Sequence, residues 1–500
     1  MFLRILALLC AVCSFSPSFA EEKILRWAAD AESGVPYVFY DPKNPTQLIG
    51  FEVDIIKAIA KEIGAKDVFV QNSWEGLIPG LTRREYDVAI NGIEITEDRK
   101  SQVLFSNPYF ATVLQIATLR TNDSIHSFQD LIGKKVGTLS GAVSERTLKA
   151  EKGITPVPYD SENNAHEDLL HGRTDAVLFD APIVKYFSEP NPQLRVLNED
   201  IGILTYGIVM SKERSDLAAE INTALVRLQN SGELRAIVEK WNLWNPRMAE
   251  LTKDTRPAMF EPTSYQYYMA SLNKDRTWAE RLTLYKDIFP LLLWGAVQTL
   301  QISVLAMAVA ILGGLVIALI RVMGPVPFQY LAIAFVEIIR GTPLLLQLFF
   351  IFYALPSIGI KLPPLFAAVL GLGLNYAANE SENYRAGIAS VHKDQTEAAL
   401  ALGMNKWQSL RHIVFPQALR LVIPPMTNDF IALIKDSSLV SVITMVELTK
   451  ISSQLSSTYY DYVGIGLMAA ALYLVMGLPF VRLARSLEKN LQKKKLNRLS

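Results

Sequence analysis

HKDQTEAALALGMNKWQSLRHIVFP, residues 392–416, is polar and basic, yet it stands between strongly apolar segments. A stretch of this kind is a loop held against a membrane surface, and that reading fixes the architecture of everything around it. Asp394 followed three residues later by Glu397 has the pattern of a capping box opening a short Ala/Leu helix. Gly403 supplies a left-handed residue to close it. A second short helix follows, with Trp407, Leu410 and Val414 on one face and Pro416 to stop or kink it. Two small helices at a bend make a knob that fits another protein's groove.

Five apolar stretches surround the loop, near 288–320, 328–355, 364–390, 424–446 and 461–482. A span needs about 20 residues, so all five are expected to cross a bilayer. Arg321, the basic residues of 392–420 and the tail from Arg482 to Arg498 then fall on one side, in line with the positive-inside rule, and Lys361 falls on the other. An odd number of spans puts the chain before the first one outside. That first half differs in composition, so the balance of 49 basic and 49 acidic residues over 500 averages a soluble half with a membrane half. Net charge therefore says little about partners, and no nucleic acid is expected among them. Residues 1–20 carry Arg4, an apolar run from Ile5 to Val12 and Ser18-Phe19-Ala20, the layout of a secretory signal peptide. Cys10 and Cys13 both lie inside it, so cleavage after Ala20 leaves no cysteine for disulfides, thiol catalysis or thiolate metal sites.

In the soluble half, ILRWAA reads as a strand, Phe51 to Ile63 as a helix, then VFVQ, a helix from Leu77 to Arg83, and DVAING as a strand. KKVGTL, a helix from about Ser144, ITPVPY, a helix near Leu169 and DAVLFD repeat the pattern. Alternating strand and helix implies parallel sheets covered by helices, and two such sets imply two lobes around a cleft.

Four separated motifs, G50-F-E-V-D54, W74-E-G-L-I-P-G-L81, Y86-D-V-A-I-N-G-I-E-I-T-E-D-R99 and F105-S-N-P-Y109, resemble those of periplasmic polar-amino-acid binding proteins over roughly residues 23–245. The resemblance implies that Arg99 pairs with a ligand α-carboxylate and that Asp180, within LFDA, takes the α-ammonium. A zwitterion leaving water needs both ends matched, and arginine offers a carboxylate a bidentate fork. It further implies Trp74 against the ligand side chain, Gly92 and position 94 on the near lobe, Ala142 and Val143 on the far lobe, and Asp30 near the distal end. The plain alternatives are an Arg99 pair with Glu97 or Asp98, a helix-capping Asp180 and a core Trp74. Three departures stand out: Glu94 where many relatives carry Thr or Ser, Ala142-Val143 where a Ser/Thr pair is common, and no aromatic from Ser33 to Val35, a place that Tyr37 could fill.

E397-A-A-L-A-L-G403 with I-V-F-P-Q-A-L-R resembles the EAA loop of ABC-importer permeases, which couples to a cytoplasmic ATPase; Glu397, Ala398, Ala399 and Gly403 would carry that contact. V336-E-I-I-R-G-T-P-L-L345 and N428-D-F-I-A-L-I-K-D-S-S-L-V-S441 extend the likeness over most of 286–485. Polar groups inside spans are costly and usually functional or paired, so Glu337, Arg340, Asn375, Glu382, Asn428 and Lys435 are candidates for a translocation path. Mutual ion pairs holding the bundle together are the alternative.

The expected chain is a signal peptide (1–20), a bilobed α/β binding domain (21–245), a polar linker with some helix (246–287), an all-α permease domain of five transmembrane helices (288–485) with a coupling loop (392–420), and a basic cytoplasmic tail (486–500). It would sit multi-pass in a bacterial inner membrane, as a homodimer, with the binding domain on the periplasmic side and a polar amino acid as ligand. There is no G-x-x-x-x-G-K-S/T run, so the chain is read as a transporter subunit and no enzyme, without cofactor, with ATP and Mg on a separate ATPase subunit. A ligand-gated channel is the rival, and it would call for a selectivity loop such as TVGYG; a periplasmic enzyme or sensor would call for a catalytic domain after residue 245.

Overall fold

The computed structural model describes residues 23–32, 34–272, 276–459 and 461–496. The signal-peptide reading of residues 1–20, the two cysteines and the basic side chains beyond Ser486 lie outside the described residues.

Strands β1 (Ile24–Ala29), β2 (Phe39–Asp41), β3 (Asn44–Ile49), β4 (Lys66–Gln71), β5 (Val88–Ala89) and β6 (Leu104–Phe105) belong to a first lobe. β7 (Phe110–Leu119), β8 (Lys135–Leu139), β9 (Thr155–Tyr159), β10 (Ala176–Asp180), β11 (Leu194–Val196) and β12 (Ile201–Tyr206) build a second, and β13 (Val209–Met210) returns to the first. The first sheet runs β4-β1-β5-β13-β6, with β1 parallel to both neighbours, Trp27 opposite Phe69 and Val88. The second runs β11-β7-β10-β8-β9, with β12 also on β7; β8 is parallel to β9 and β10, whereas β7 is antiparallel to β10. The sheets are thus mixed rather than purely parallel. The chain crosses between lobes twice, after β6 and after β12, which makes a two-segment hinge. The apolar run AVLFD is buried along its whole length, as a strand covered on both faces must be. In helix Phe51–Glu62 the apolar positions Phe51, Ile55, Ile56 and Ile59 form one buried face.

The linker is more ordered than its polar composition suggests. Helices Pro246–Thr252 and Thr263–Ser271 fall within it. Tyr268 packs edge-on against Phe39, and the buried Arg235 donates to the carbonyls of Arg256 at 2.7 Å and Pro257 at 2.6 Å. The segment lies along the binding domain and does not swing free of it.

The rest is helical. Helix Trp278–Met323, opened by a capping box between Thr277 and Glu280, starts ten residues before the expected span and buries a stripe through Leu292, Ala296, Thr299, Ser303, Ala306, Ala310, Gly314 and Ala318. Glycine and alanine on that stripe let it lie close to helix Pro364–Ala389, Gly314 resting on Glu380 and Ser381. Among the described residues, two helices are long and apolar enough to cross a membrane, Trp278–Met323 and Tyr462–Ser486; a third span forms if Val326–Gly341 and Leu344–Ala354 are taken together. That pair is bent by 109°, so Gly341-Thr342-Pro343 does break the helix. Helices Pro364–Ala389 and Phe415–Asp436, with 26 and 22 residues, have the length of spans, but their charged and amide side chains keep them out of the plainly apolar class. The span expected at 424–446 is corrected: its helix begins at Phe415 and ends at Asp436, and a 3-10 turn, Ser437–Ile443, leads to a separate helix, Leu448–Tyr459.

Candidate functional site

Four strand ends meet at the cleft between the lobes, where ligands of open α/β sheets gather. β1 delivers Asp30, β5 delivers Asn91 to Glu94, β8 delivers Ser140 to Val143, and β10 ends on Asp180. The space they enclose measures about 330 Å³, counting its open mouth, and Tyr37, Trp74, Asn91, Gly92, Glu94, Ala142, Phe179 and Asp180 are among its lining residues.

Asp30 does not line this space. Its carboxylate accepts from the backbone N–H of Trp74 at 3.0 Å and of Glu32 at 3.1 Å, and from the Gln71 amide at 3.2 Å, so it fixes the Trp74 turn. The Trp74 indole N–H donates to the Ser140 carbonyl in the other lobe at 3.0 Å. Trp74 is therefore a bridge between lobes and only half-buried, not a plain core residue. Gly92 has φ +61°, and a Cβ there would stand 3.0 Å from the Tyr37 ring. Its N–H donates to the Glu52 carboxyl at 2.7 Å and not into the cleft. Glu52 also accepts from the Tyr109 hydroxyl, and burial pushes its carboxyl up to about 8.

Arg99 pairs with Glu94, donates to the Glu94 carbonyl at 3.2 Å and reaches the Gly141 carbonyl in the second lobe at 3.2 Å. Its alternative partners are engaged elsewhere, Glu97 with Lys100 and Asp98 with Arg146. The other Glu94 oxygen accepts the Val143 N–H at 2.9 Å, at the start of helix Val143–Ala150, whose N-cap Ala142 has no side-chain cap. Asp180 sits at the N-cap of helix Ala181–Phe187 but makes no capping bond; it accepts from the Tyr206 hydroxyl, itself 3.2 Å from that of Tyr37. Burial, and then the nearby Glu94 carboxylate, push the Asp180 carboxyl well above the usual range.

Tyr37, the first aromatic after the gap from Ser33 to Val35, does line the cleft. Tyr206 and Glu52 are not among the candidate ligand residues that the sequence motifs mark. Glu52 carried a signal, since it is an acidic residue in a run whose neighbours Phe51, Val53 and Ile55 are all buried.

At the far end of the helical half, the 392–416 loop folds differently from its expected caps. Helix Lys393–Ala401 takes His392 as N-cap without a side-chain bond, so Asp394 and Glu397 lie inside the helix and form no capping box. The box occurs one helix later, between Asn405 and Gln408. Gly403 is left-handed at φ +84°, as expected, with its N–H on the Leu400 carbonyl. Leu410 and Val414 are buried, but Trp407 is 50% exposed. Pro416 neither stops nor ends the helix: a π-turn, Leu410–Val414, runs straight into Phe415–Asp436, which carries the proline in its first turn. Glu397, Ala398 and Gly403 are exposed, Ala399 is buried, and Leu402 is 82% exposed.

The six candidates inside the helices do not meet in one place within a single chain. Glu337, Arg340, Asn428 and Lys435 are exposed. Glu382 is held between Arg321 and Arg385, and the Asn375 amide donates at 3.1 Å to Gln347, which in turn bonds the broken turn at Thr342.

Residues 25–243 match the bacterial extracellular solute-binding proteins, family 3, and residues 310–493 match the binding-protein-dependent transport system inner membrane component. The glutamine transport system permease protein GlnP of Escherichia coli K12 is 37% identical over 205 residues, 41% of this chain and 94% of that protein. The ABC transporter arginine-binding protein 1 of the same organism is 30% identical over 243 residues, 47% of this chain and 97% of that protein. The chain belongs to both families, joined as one amino-acid ABC transporter polypeptide. A solved ancestral arginine-binding protein bound to glutamine is 37% identical to the fusion, covering 45% of it and 99% of that chain at a TM-score of 0.42. In the fusion the binding half sits on the permease half: Lys450 pairs with Glu32, Lys361 donates to the Thr82 carbonyl at 3.0 Å, and the Arg83 guanidinium lies 3.9 Å from the Phe352 ring centre.

Proposed function

We propose that the fusion captures a polar amino acid on the periplasmic side of a bacterial inner membrane and moves it inward as a homodimer bound to two cytoplasmic ATPase subunits. One observation carries this reading. Helix Pro364–Ala389 begins three residues after Lys361, which touches the binding domain, and ends three residues before His392, where the exposed loop starts. At 1.5 Å per residue its 26 residues separate the two surfaces by about 39 Å, more than the roughly 30 Å of a hydrocarbon core. Ligand capture and ATPase contact then lie on opposite faces, with five spans between them; the two polar helices Pro364–Ala389 and Phe415–Asp436 cross inside the assembly, where exposed Glu337, Arg340, Asn428 and Lys435 face the second copy and the path. Asp180, Trp74 and the Arg99–Glu94 pair form the ligand frame, and Glu397 to Gly403, with Leu402 outward, form the ATPase contact. The 21–245, 246–287 and 288–485 divisions follow the same scheme.

The relatives' names suggest arginine and glutamine as first ligands to try. With the fusion and its ATPase reconstituted in vesicles, one of them should stimulate ATP hydrolysis and be taken up. Hydrolysis indifferent to every amino acid would remove the reading.

A further inference from the structure

The carboxylate subsite of this cleft is already filled. The family resemblance puts a ligand carboxylate on Arg99; the Glu94 side chain occupies that contact with one oxygen and accepts the Val143 N–H of the far lobe with the other at 2.9 Å. Glu94 comes from the first lobe and Val143 from the second, so this side chain ties the lobes together as a ligand's own carboxylate would. Arg99 stands behind it: the space open to a ligand is lined by Glu94 and Asp180, while Arg99 lines a neighbouring one beyond Trp74. Two carboxylates thus face the ligand against one guanidinium, which Glu94 already holds.

Resting on the amino-acid reading above, we infer that Glu94 is a built-in stand-in for the ligand α-carboxylate, and that the cleft also takes amines with no free carboxylate, such as amino-acid amides, their ammonium lying between Asp180 and Glu94. The charges decide it. An uncharged-side-chain amino acid brings no net charge and must evict Glu94 from Arg99, leaving a third carboxylate in a dry cleft with too few partners, which is costly. Its α-amide brings one positive charge, leaves the Glu94–Arg99 pair intact and balances Asp180. Burial, and then the Glu94 carboxylate, push the Asp180 carboxyl up, in agreement with a site that lacks a cation until the ligand arrives.

Calorimetry on the full chain in detergent, with two matched pairs, L-glutamine and its α-amide and L-arginine and its α-amide, tests this. In the wild-type chain the amide of the binding pair should bind within about threefold of the acid, or more tightly. In Glu94→Thr the acid should gain on the amide by at least about tenfold, because Arg99 and Val143 become free for its carboxylate. Glu94→Gln, equal in size and uncharged, should shift the ratio the same way and stands in if the threonine variant does not fold. Amides refused by the wild-type chain, with an acid-to-amide ratio unchanged in both variants while arginine or glutamine still binds, would overturn this inference alone. No heat from any of the four probes in any chain would remove the amino-acid reading and this inference with it.

Discussion

Lys450, in the helix that follows the 3-10 turn of the permease half, forms an ion pair with Glu32, two residues past Asp30 in the binding half. Both side chains are largely shielded from solvent, and Glu447 braces the helix by accepting the Lys450 N–H at 2.9 Å. This pair, with Lys361 on Thr82, joins the binding half to the permease half.

Lys450→Glu should therefore leave ligand affinity near wild type while lowering uptake by tenfold or more, because stranding one member of a buried pair costs about 3–5 kcal/mol. Glu32→Lys combined with it should recover much of the uptake. A double variant no better than either single one in a vesicle uptake assay would mean that the pair does not guide docking.

Arg99→Ala removes the partner of Glu94 as well as the fork expected to bind a carboxylate. Truncating one member of a buried charge pair costs about 2–5 kcal/mol, or roughly thirtyfold to several thousandfold in affinity. Asp180→Ala should lose a similar amount, and Arg99→Lys should recover only part, since an ammonium cannot reproduce the fork. Titration calorimetry with the amino acid that stimulates hydrolysis gives these numbers directly.

Glu52 makes stability depend on pH. Its carboxyl titrates near 8 when folded and near about 4.3 when unfolded, so between those values the folded chain holds the extra proton. Raising pH through that window should destabilise the binding half by up to about 1.4 kcal/mol per unit, with no further loss from this group above pH 8. Glu52→Gln should flatten the slope of the thermal midpoint between pH 5 and 8. An unchanged slope would show that Glu52 is ionised in the folded state.

At Gly403 a Cβ would meet nothing within 4 Å, so the chain itself has room for one. The left-handed backbone costs a non-glycine residue about 1 kcal/mol, which a 500-residue protein tolerates. Gly403→Asp should thus fold and bind ligand normally but lose ligand-stimulated ATP hydrolysis, because the added carboxylate would stand in the proposed ATPase contact. Full stimulation in the variant would move the ATPase contact elsewhere.

Much of this was legible in the sequence because local pattern and burial agree. The apolar run AVLFD reads as a strand and is one, and Gly403 reads as a left-handed cap and is one. The capping box at Asp394 misled because side-chain spacing alone does not say which residue precedes the first turn, and His392 took that place. Helices Pro364–Ala389, with Glu380, Glu382 and Arg385, and Phe415–Asp436, with Asp429 and Lys435, have the length of spans but carry charges, and a charge such as Glu382 is matched by Arg321, a neighbour far away in sequence. The Glu94 contact was out of reach for the same reason: Val143 lies 49 positions on, in the other lobe. A glutamate in place of a threonine announces a departure, not where its carboxylate goes.

The clasp made by Arg235 on residues 256 and 257, seconded by Glu239 accepting the N–H groups of Met259 and Phe260 at 2.8 and 2.7 Å, has a kinetic meaning. It takes slack out of the connection between capture and transport, so the two halves meet by a first-order step whose frequency does not depend on how many copies the cell makes. A free binding protein can be produced in excess to gather scarce solute, and several kinds can share one permease. Here every permease half carries its own receptor, so the proposed homodimer brings two tethered clefts to one path, and throughput is set by how quickly those clefts reopen.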